Sequence, residues 1–344
     1  MKLALISTNV LPSTPWSDGF QGYGGLEPLV GELAKGLAHL GHDVHLFASV
    51  DTKAEGVFIE PYPKGAGEEV CFNEYRKLVG QFDVVQDHTW SHWPVIGFMQ
   101  DGHHKTKLQV FHHGVLAGIS SRPPVTAHWT AFSHAQSVYV GASLGIPCRY
   151  VHHGIPLELY PLQEAKEDYY VMLTRLSPEK GVIPAVEMLR RHGKRVVVVA
   201  DDRLIAIPSY VAEFKRLVDG KQVVFVPGNN LSHEDKIKWL AGARALVTAP
   251  QYPWVEIFGL SVVEAMACGT PVLALRNGAL PELIAHEQTG YLADTVEGLA
   301  DYLECLTSIS PAGCRIRADA LFSASRMASE HERLLTDIMA GKSW

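Results

Sequence analysis

The chain has 344 residues, 47% of them hydrophobic and 19% charged, with a net charge of −7. That is long enough for two domains with full cores and too apolar for a disordered chain. The acidic balance lacks the basic excess of a surface that tracks phosphates, so nucleic acid is not an expected partner.

The first apolar run, Leu3 to Ser7, reads as a buried strand and is too short for a secretory signal core. A long loop from Asn9 to Gly25 follows, rich in Gly, Pro, Ser and Trp. Glu27 to Leu40 has helical periodicity and stops at Gly41, and Val44 to Ala48 is the next strand, which makes a βαβ opening. Strands are predicted at Val57 to Glu60, Phe82 to Gln86 and Leu108 to Phe111, with helices near Asn73 to Val79 and His92 to Met99. A short helix runs from Ser133 through Val140 into a strand at Arg149 to His152.

Residues 157–168 are polar and contain a proline, which places a hinge there. A second series then alternates: strand Tyr170 to Thr174, helix Glu179 to Arg191, strand Val196 to Ala200, helix Ser209 to Leu217, strand Val223 to Val226, helix Glu234 to Leu240, strand Ala245 to Thr248, helix Leu260 to Cys268 and strand Val272 to Ala274. A segment at Leu280 to Ile284 follows, then helices over Val296 to Cys305 and Ile316 to Met339. Such alternation predicts α/β domains, each a parallel sheet covered by helices. The expected domains are 1–156 and 169–315, with 316–344 packing back toward the first.

The five cysteines are odd in number and scattered, which fits thiols of a reducing compartment, the cytoplasm, better than a disulfide framework or a zinc cluster. Seventeen histidines include the pairs His103/His104, His112/His113 and His152/His153. Neighbours on a strand point to opposite faces, so no pair chelates one ion, and no metal site is expected. Asp201 and Asp202 fit a metal or a solvated turn after their strand.

The window 251–290 is the most informative. Glu256 and Glu264 bracket a helix start at Phe258, Gly259, Leu260 and Ser261, with unpaired first-turn N–H groups between them. One reading is a sugar-nucleotide site: the first carboxylate takes sugar hydroxyls, the amides a diphosphate, the second carboxylate a ribose diol. The other is a solvated loop acid and a helix-surface acid. The run Val262, Val263, Ala265, Met266, Ala267 around Glu264 argues against the second.

Gly22-Tyr23-Gly24-Gly25 lies between the first strand and helix, where glycines let backbone approach a phosphate or serve only a loop. Its spacing is not that of a dinucleotide fingerprint. Arg175 and Lys180 in TRLSPEKG form either a diphosphate clamp or ordinary loop charges. His113 follows the strand LQVFH and is either a donor to a sugar hydroxyl or a structural histidine, with His112 not separated from it by spacing. Asp87 and His88 close the preceding strand. Trp16, Phe20 and Tyr23 offer either an aromatic acceptor surface or core packing.

EIFGLSVVEAMACGTPVLA resembles the E-x7-E segment of the retaining family 4 glycosyltransferases (glycosyl transferases group 1), whose GT-B fold is two Rossmann-like domains facing across a cleft. TRLSPEKG is similar to the same family, as are, more weakly, GYGGLEPLVGELAKGLAHLGHDVHLF and VFHHG. The resemblance implies that Glu256 faces the donor sugar and Glu264 the ribose. It implies that Arg175 and Lys180 contact the diphosphate, that Gly24 and Gly25 lie near the phosphates, and that His113 lies near the sugar's distal hydroxyls. It favours front-face attack with the leaving phosphate as base.

Two segments depart from the family pattern. Asn277-Gly278-Ala279-Leu280-Pro281-Glu282 lacks the paired glycines before Pro-Glu, and His153-Gly154-Ile155-Pro156 replaces Asn-Gly-Val-Asp. The expectation is a metal-independent, cofactor-free enzyme that transfers a hexose from a nucleoside diphosphate sugar, of the UDP-glucose or GDP-mannose type, to a hydroxyl of a saccharide or small molecule. Alternatives are an epimerase or phosphorylase on the same fold, or a non-catalytic sugar-nucleotide binder. Membrane contact is not indicated, since Glu27 to Leu40 carries only Lys35 as a strong base.

Overall fold

The computed structural model describes residues 1–20, 25–63, 66–102, 105–114, 127–201, 207–228 and 231–344, with 98–100 described by backbone alone. The chain divides into two compact units. The first takes in Met1–Phe20, the chain onward to Pro156, and Ser323–Trp344; the second contains Leu157–Phe322. Both are Rossmann-like, with a parallel sheet and flanking helices.

The first unit runs β1 (Lys2–Ile6), α1 (Leu26–His39), β2 (Asp43–Ser49), β3 (Phe58–Tyr62), α2 (Glu68–Tyr75), β4 (Val84–Asp87), α3 (Trp93–Asp101), β5 (Lys107–Phe111), β6 (Ala127–Ala131), α4 (His134–Leu144) and β7 (Arg149–Tyr150). The second runs β8 (Tyr170–Leu173), α5 (Val182–Arg191), β9 (Val196–Ala200), α6 (Pro208–Lys215), β10 (Val223–Pro227), α7 (His233–Gly242), β11 (Ala245–Thr248), α8 (Leu260–Ala267), β12 (Val272–Leu275), α9 (Leu280–Leu283), β13 (Gly290–Ala293) and α10 (Pro311–Leu321). The last helix, α11 (Ala324–Met339), belongs to the first unit.

All pairings are parallel, in the orders β3-β2-β1-β4-β5-β6-β7 and β10-β9-β8-β11-β12-β13. Parallel strands need covered faces, and the sequence supplies continuous apolar runs to match. Val196–Ala200, VVVVA, is buried at every position. In each sheet the order reverses once, between β1 and β4 and between β8 and β11, and ligands of such sheets bind outside the carboxyl ends at that reversal.

Several elements differ from the sequence expectation, each for a local reason. Helix α2 begins at Glu68 rather than near Asn73, because Gly67 is an extended N-cap and Glu68 and Glu69 fill the first turn, where acids favour the helix dipole. Strand β6, AHWTA, was unanticipated because His128 and Thr130 break its apolar run, yet all five residues are buried. Strand β13 was also unanticipated. Residues 296–305 form no α-helix but the 3-10 turns Glu297–Tyr302 and Cys305–Ser308. The long terminal helix is two: Phe322 is fully buried, and Ser323 starts α11 by accepting from the Arg326 N–H at 3.2 Å.

Helix α11 is riveted to the first sheet. Gly36 of α1 lets the two helices approach, since a Cβ there would lie 2.6 Å from that of Ala328. Beneath it a polar ladder crosses the buried sheet: Gln86 Nε2 donates to Gln109 Oε1 at 2.9 Å and Gln109 Nε2 to Thr130 Oγ1 at 2.9 Å. His331 of α11 joins it, with Nδ1 3.5 Å from Gln86 Nε2 and its ring stacked on Phe111.

The loop before α1 folds onto that helix. Thr8 Oγ1 donates to Glu27 at 2.6 Å, the Ser17 N–H donates to Glu32 at 2.8 Å, and Lys35 pairs with Asp18. Trp16 and Phe20 are buried, so of the two alternatives for these aromatics they take core packing rather than an exposed acceptor surface. Tyr23 lies outside the described residues.

His88, His113, His153 and His331 of this unit are all held below the usual imidazole range, first by desolvation and, for all but His331, further by neighbouring imidazolium charge; His331 is pushed down to about 3. A lowered folded-state pKa means that the unfolded chain binds more protons below its own pKa of about 6.5, so stability is lost as pH falls, by up to about 1.4 kcal/mol per pH unit for each group. Melting temperature is therefore expected to fall between about pH 7 and about pH 5, and less steeply in His331→Leu. Equal slopes in calorimetric scans of the two proteins would contradict a neutral, buried His331.

Candidate functional site

In the second unit, the chain leaving β8 passes Arg175 and enters a 3-10 turn, Pro178–Lys180, closed by Gly181 at φ 62°. A Cβ on Gly181 would lie 1.9 Å from the Ala249 carbonyl oxygen, so only glycine lets this turn lie against the end of β11. There Lys180 Nζ meets Glu256 Oε2 at 2.6 Å, both side chains 13% exposed. Arg175 lies 3.6 Å from Glu179, and Arg175 and Lys180 sit 5.8 and 5.1 Å from the Trp254 ring centroid, cation–π contacts on one indole.

The Glu256 loop is held by the segment that departs from the family pattern. Asn277 Oδ1 accepts from the Glu256 N–H at 2.8 Å, Asn277 Nδ2 donates to the Trp254 carbonyl at 3.0 Å, and the Ala279 N–H donates to the Glu256 carbonyl at 2.8 Å. Gly278, at φ 53°, has no room for a side chain: a Cβ would fall 2.0 Å from the Glu256 carbonyl oxygen. Both backbone polar groups of Glu256 are thus fixed, and its carboxylate is left to Lys180.

Helix α8 starts two residues on from a buried Phe258, whose ring packs edge-on to Phe322, so Phe258 can serve a ligand only through its backbone. Gly259 caps the helix in the left-handed region at φ 103°, ahead of Leu260. One turn further in, Glu264 is almost wholly buried, and its Oε1 accepts from Lys236 Nζ at 2.7 Å and from Tyr160 Oη at 3.0 Å. Burial alone would raise this carboxyl; the Lys236 charge and hydrogen bond, then His233 and Tyr160, outweigh it and hold it below its ordinary value.

In the first unit, adjacent histidines diverge as strand geometry requires. His113 Nε2 lies 3.1 Å from His88 Nδ1, and its ring packs on Phe132. His112 turns the other way: Asp87 Oδ2 is 3.0 Å from His92 Nδ1, and His92 Nε2 is 3.0 Å from His112 Nδ1. A carboxylate only accepts, so His92 donates from Nδ1 to Asp87. Gly25 is the N-cap of α1; Gly24 lies outside the described residues, as does Asp202. Asp201 is buried at the end of β9, and among the described residues no cluster of His, Cys, Asp and Glu is arranged to hold a metal ion.

Residues 161–313 match the family model for glycosyl transferases group 1. The chain is 27% identical to a D-inositol 3-phosphate glycosyltransferase of Mycobacterium sp. (strain JLS), over 91% of this chain and 84% of that protein. Among solved structures, AviGT4, a glycosyltransferase involved in avilamycin A biosynthesis, superposes with a TM-score of 0.73 at 26% identity, over 100% of this chain and 99% of its own. Anabaena HepE in complex with UDP-glucose shares the fold, with a TM-score of 0.76 at 17% identity over 98% and 100%. The segment 161–313 is thus a glycosyl transferases group 1 domain, and the chain has the GT-B fold.

Four residues around the candidate site escaped sequence reasoning in the part they play. Trp254 and Asn277 lie in or beside the window already singled out, and Asn277 was visible only as a departure from the family's glycines. Lys236 sits among the charged residues that open α7 and Tyr160 in the hinge, and no local pattern links either to Glu264. Asn277→Ala removes three side-chain hydrogen bonds around Glu256 and Trp254. It is expected to destabilise the protein by about 1–3 kcal/mol and to lower turnover. Urea titration and steady-state kinetics check this; wild-type values in both would show that the clamp is dispensable.

Proposed function

We propose that this glycosyltransferase moves a hexose from a nucleoside diphosphate sugar, of the UDP-glucose or GDP-mannose type, to a hydroxyl of a saccharide or small-molecule acceptor, with retention at the anomeric carbon. The observation that carries the reading is the contact of Lys180 with Glu256 beside the start of α8: a cation, a carboxylate and outward first-turn amides share one strand-end edge. Lys180 and Arg175 stabilise the charge that develops on the departing diphosphate. Glu256 accepts from donor-sugar hydroxyls, and Glu264 takes the ribose diol. His113, a neutral imidazole, hydrogen-bonds a distal sugar hydroxyl, and Gly24 and Gly25 lie near the phosphates. UDP-glucose in the HepE complex supports the donor class, and the mycobacterial relative's inositol phosphate supports a small polyol acceptor.

Lys180→Ala is expected to lower donor-dependent kcat/KM by roughly 10²-fold, about 3 kcal/mol of transition-state stabilisation. Less than about a threefold effect in a folded variant would make Lys180 an ordinary loop charge. Because Lys180, Arg175 and helix N–H groups supply positive potential for the diphosphate, turnover is expected to survive EDTA; loss restored by Mg²⁺ or Mn²⁺ would refute metal independence. NMR of the product reads the anomeric configuration, and inversion would exclude the proposed chemistry.

A further inference from the structure

Among the described residues, the two hydrogen bonds that reach the Glu264 carboxylate land on one oxygen. Lys236 Nζ, from α7, and Tyr160 Oη, from the chain that opens the second unit, both donate to Oε1. Neither donates to Oε2. The ion pair is shielded, with Lys236 16% and Glu264 5% exposed at their side chains. A buried carboxylate with one oxygen doubly occupied is fixed in rotation and offers its second oxygen in one direction.

The groups around this carboxylate leave the charge to Lys236. His233, also on α7, is pushed down to about 4 by desolvation and then by Lys236, so at neutral pH it carries no charge. Cys268, at the end of α8, is pushed up to about 12 by burial and then by Glu264, and stays a thiol. Arg315 of α10 directs its guanidinium to the carbonyls of Tyr160, Ala267 and Leu157 and to Asp319. Lys166 donates to the carbonyls of Ala241 and Cys268 and to Thr270.

We propose that Lys236 and Tyr160 are positioning residues for the donor nucleotide: together they occupy Oε1 of Glu264, keep it an anion inside the protein, and present Oε2 to the vicinal diol of the donor's ribose. The inference rests on the reading of Glu264 as the ribose acceptor and adds the apparatus that makes a buried carboxylate fit for it. Arg315 anchors Tyr160 through the backbone carbonyl of that residue, so the hydroxyl is held from both ends of the residue. A neutral Glu264 would surrender an acceptor to its own proton and lose the charge that strengthens hydrogen bonds from a diol.

Calorimetric binding of UDP, GDP and ADP at about pH 6 and about pH 8.5 tests this, because a buried carboxylate without its cation titrates in that window. Taking the nucleotide bound best, Lys236→Met is expected to lose about tenfold more affinity relative to wild type at the lower pH than at the higher, one decade per unit of upward pKa shift. Lys236→Arg restores a wild-type pH profile, and Tyr160→Phe weakens binding by a similar factor at both pH values. If Lys236→Met does not fold, Lys236→Gln, uncharged but polar, carries the same comparison. Equal weakening at both pH values would reduce Lys236 to packing and overturn the proposal. Glu264→Gln separates the two levels: wild-type affinity for all three nucleotides would remove Glu264 itself from ribose binding, whereas weakened affinity with a pH-flat Lys236→Met would remove only the role given to Lys236.

Discussion

Everything in the candidate site follows from the parallel direction of the strands. Parallel neighbours cannot be joined by a hairpin, so each strand's carboxyl end opens into a loop and a crossover helix, and all such loops collect on one edge of a sheet. In the second unit β8, β11 and β12 are adjacent, and they release Arg175 and Lys180, Glu256, and Asn277 in that order. The reversal of winding falls between β8 and β11, where the two crossover helices diverge to opposite faces. Lys180 and Glu256 meet there although 76 residues separate them in sequence.

Buried acids in the two units are handled differently. Glu27 is covered in α1 with a threonine hydroxyl as its side-chain donor, and desolvation raises its pKa. Glu32 likewise accepts from the backbone and hydroxyl of Ser17. These serve to tie a loop to a helix, a task that a hydrogen bond performs in either protonation state. Glu256 and Glu264 each have a lysine in contact. An ion pair out of water stabilises little in net terms, since desolvation offsets attraction, so these lysines chiefly balance the charge of the acids rather than add stability.

The fold was legible in the sequence because parallel sheets demand long apolar runs, which VVVVA and VLAL display, and because Gly41 marks the end of the helix before it. What hid was short or mixed. AHWTA carries a histidine and a threonine that find buried partners only once neighbouring strands exist, and residues 296–305 hold a helical pattern that the structure resolves into tight 3-10 turns. At the site, the acids and cations in two short windows could be named as ligand candidates from residue type and position after a strand. Their supports could not. Lys236 reaches Glu264 from another helix, and Asn277 does its work through backbone groups, so neither leaves a mark on local composition. His112 and His113 were inseparable by spacing, and only their opposite neighbours, His92 and His88, distinguish them.

The chain leaves the first unit after Pro156 and returns to it after Phe322, and within that unit the two points adjoin. The Ala324 N–H donates to the Ile155 carbonyl at 2.9 Å, and Ile155 bridges Ser323 as a parallel pair. Topologically the second unit is an insertion whose ends are clasped together. Synthesis on the ribosome therefore completes it first: all its residues have been made by Phe322, while the older first unit still lacks Leu334, Leu335 and Ile338, which its core buries. Of the two units, the one whose strands are made earlier is the one whose core closes later.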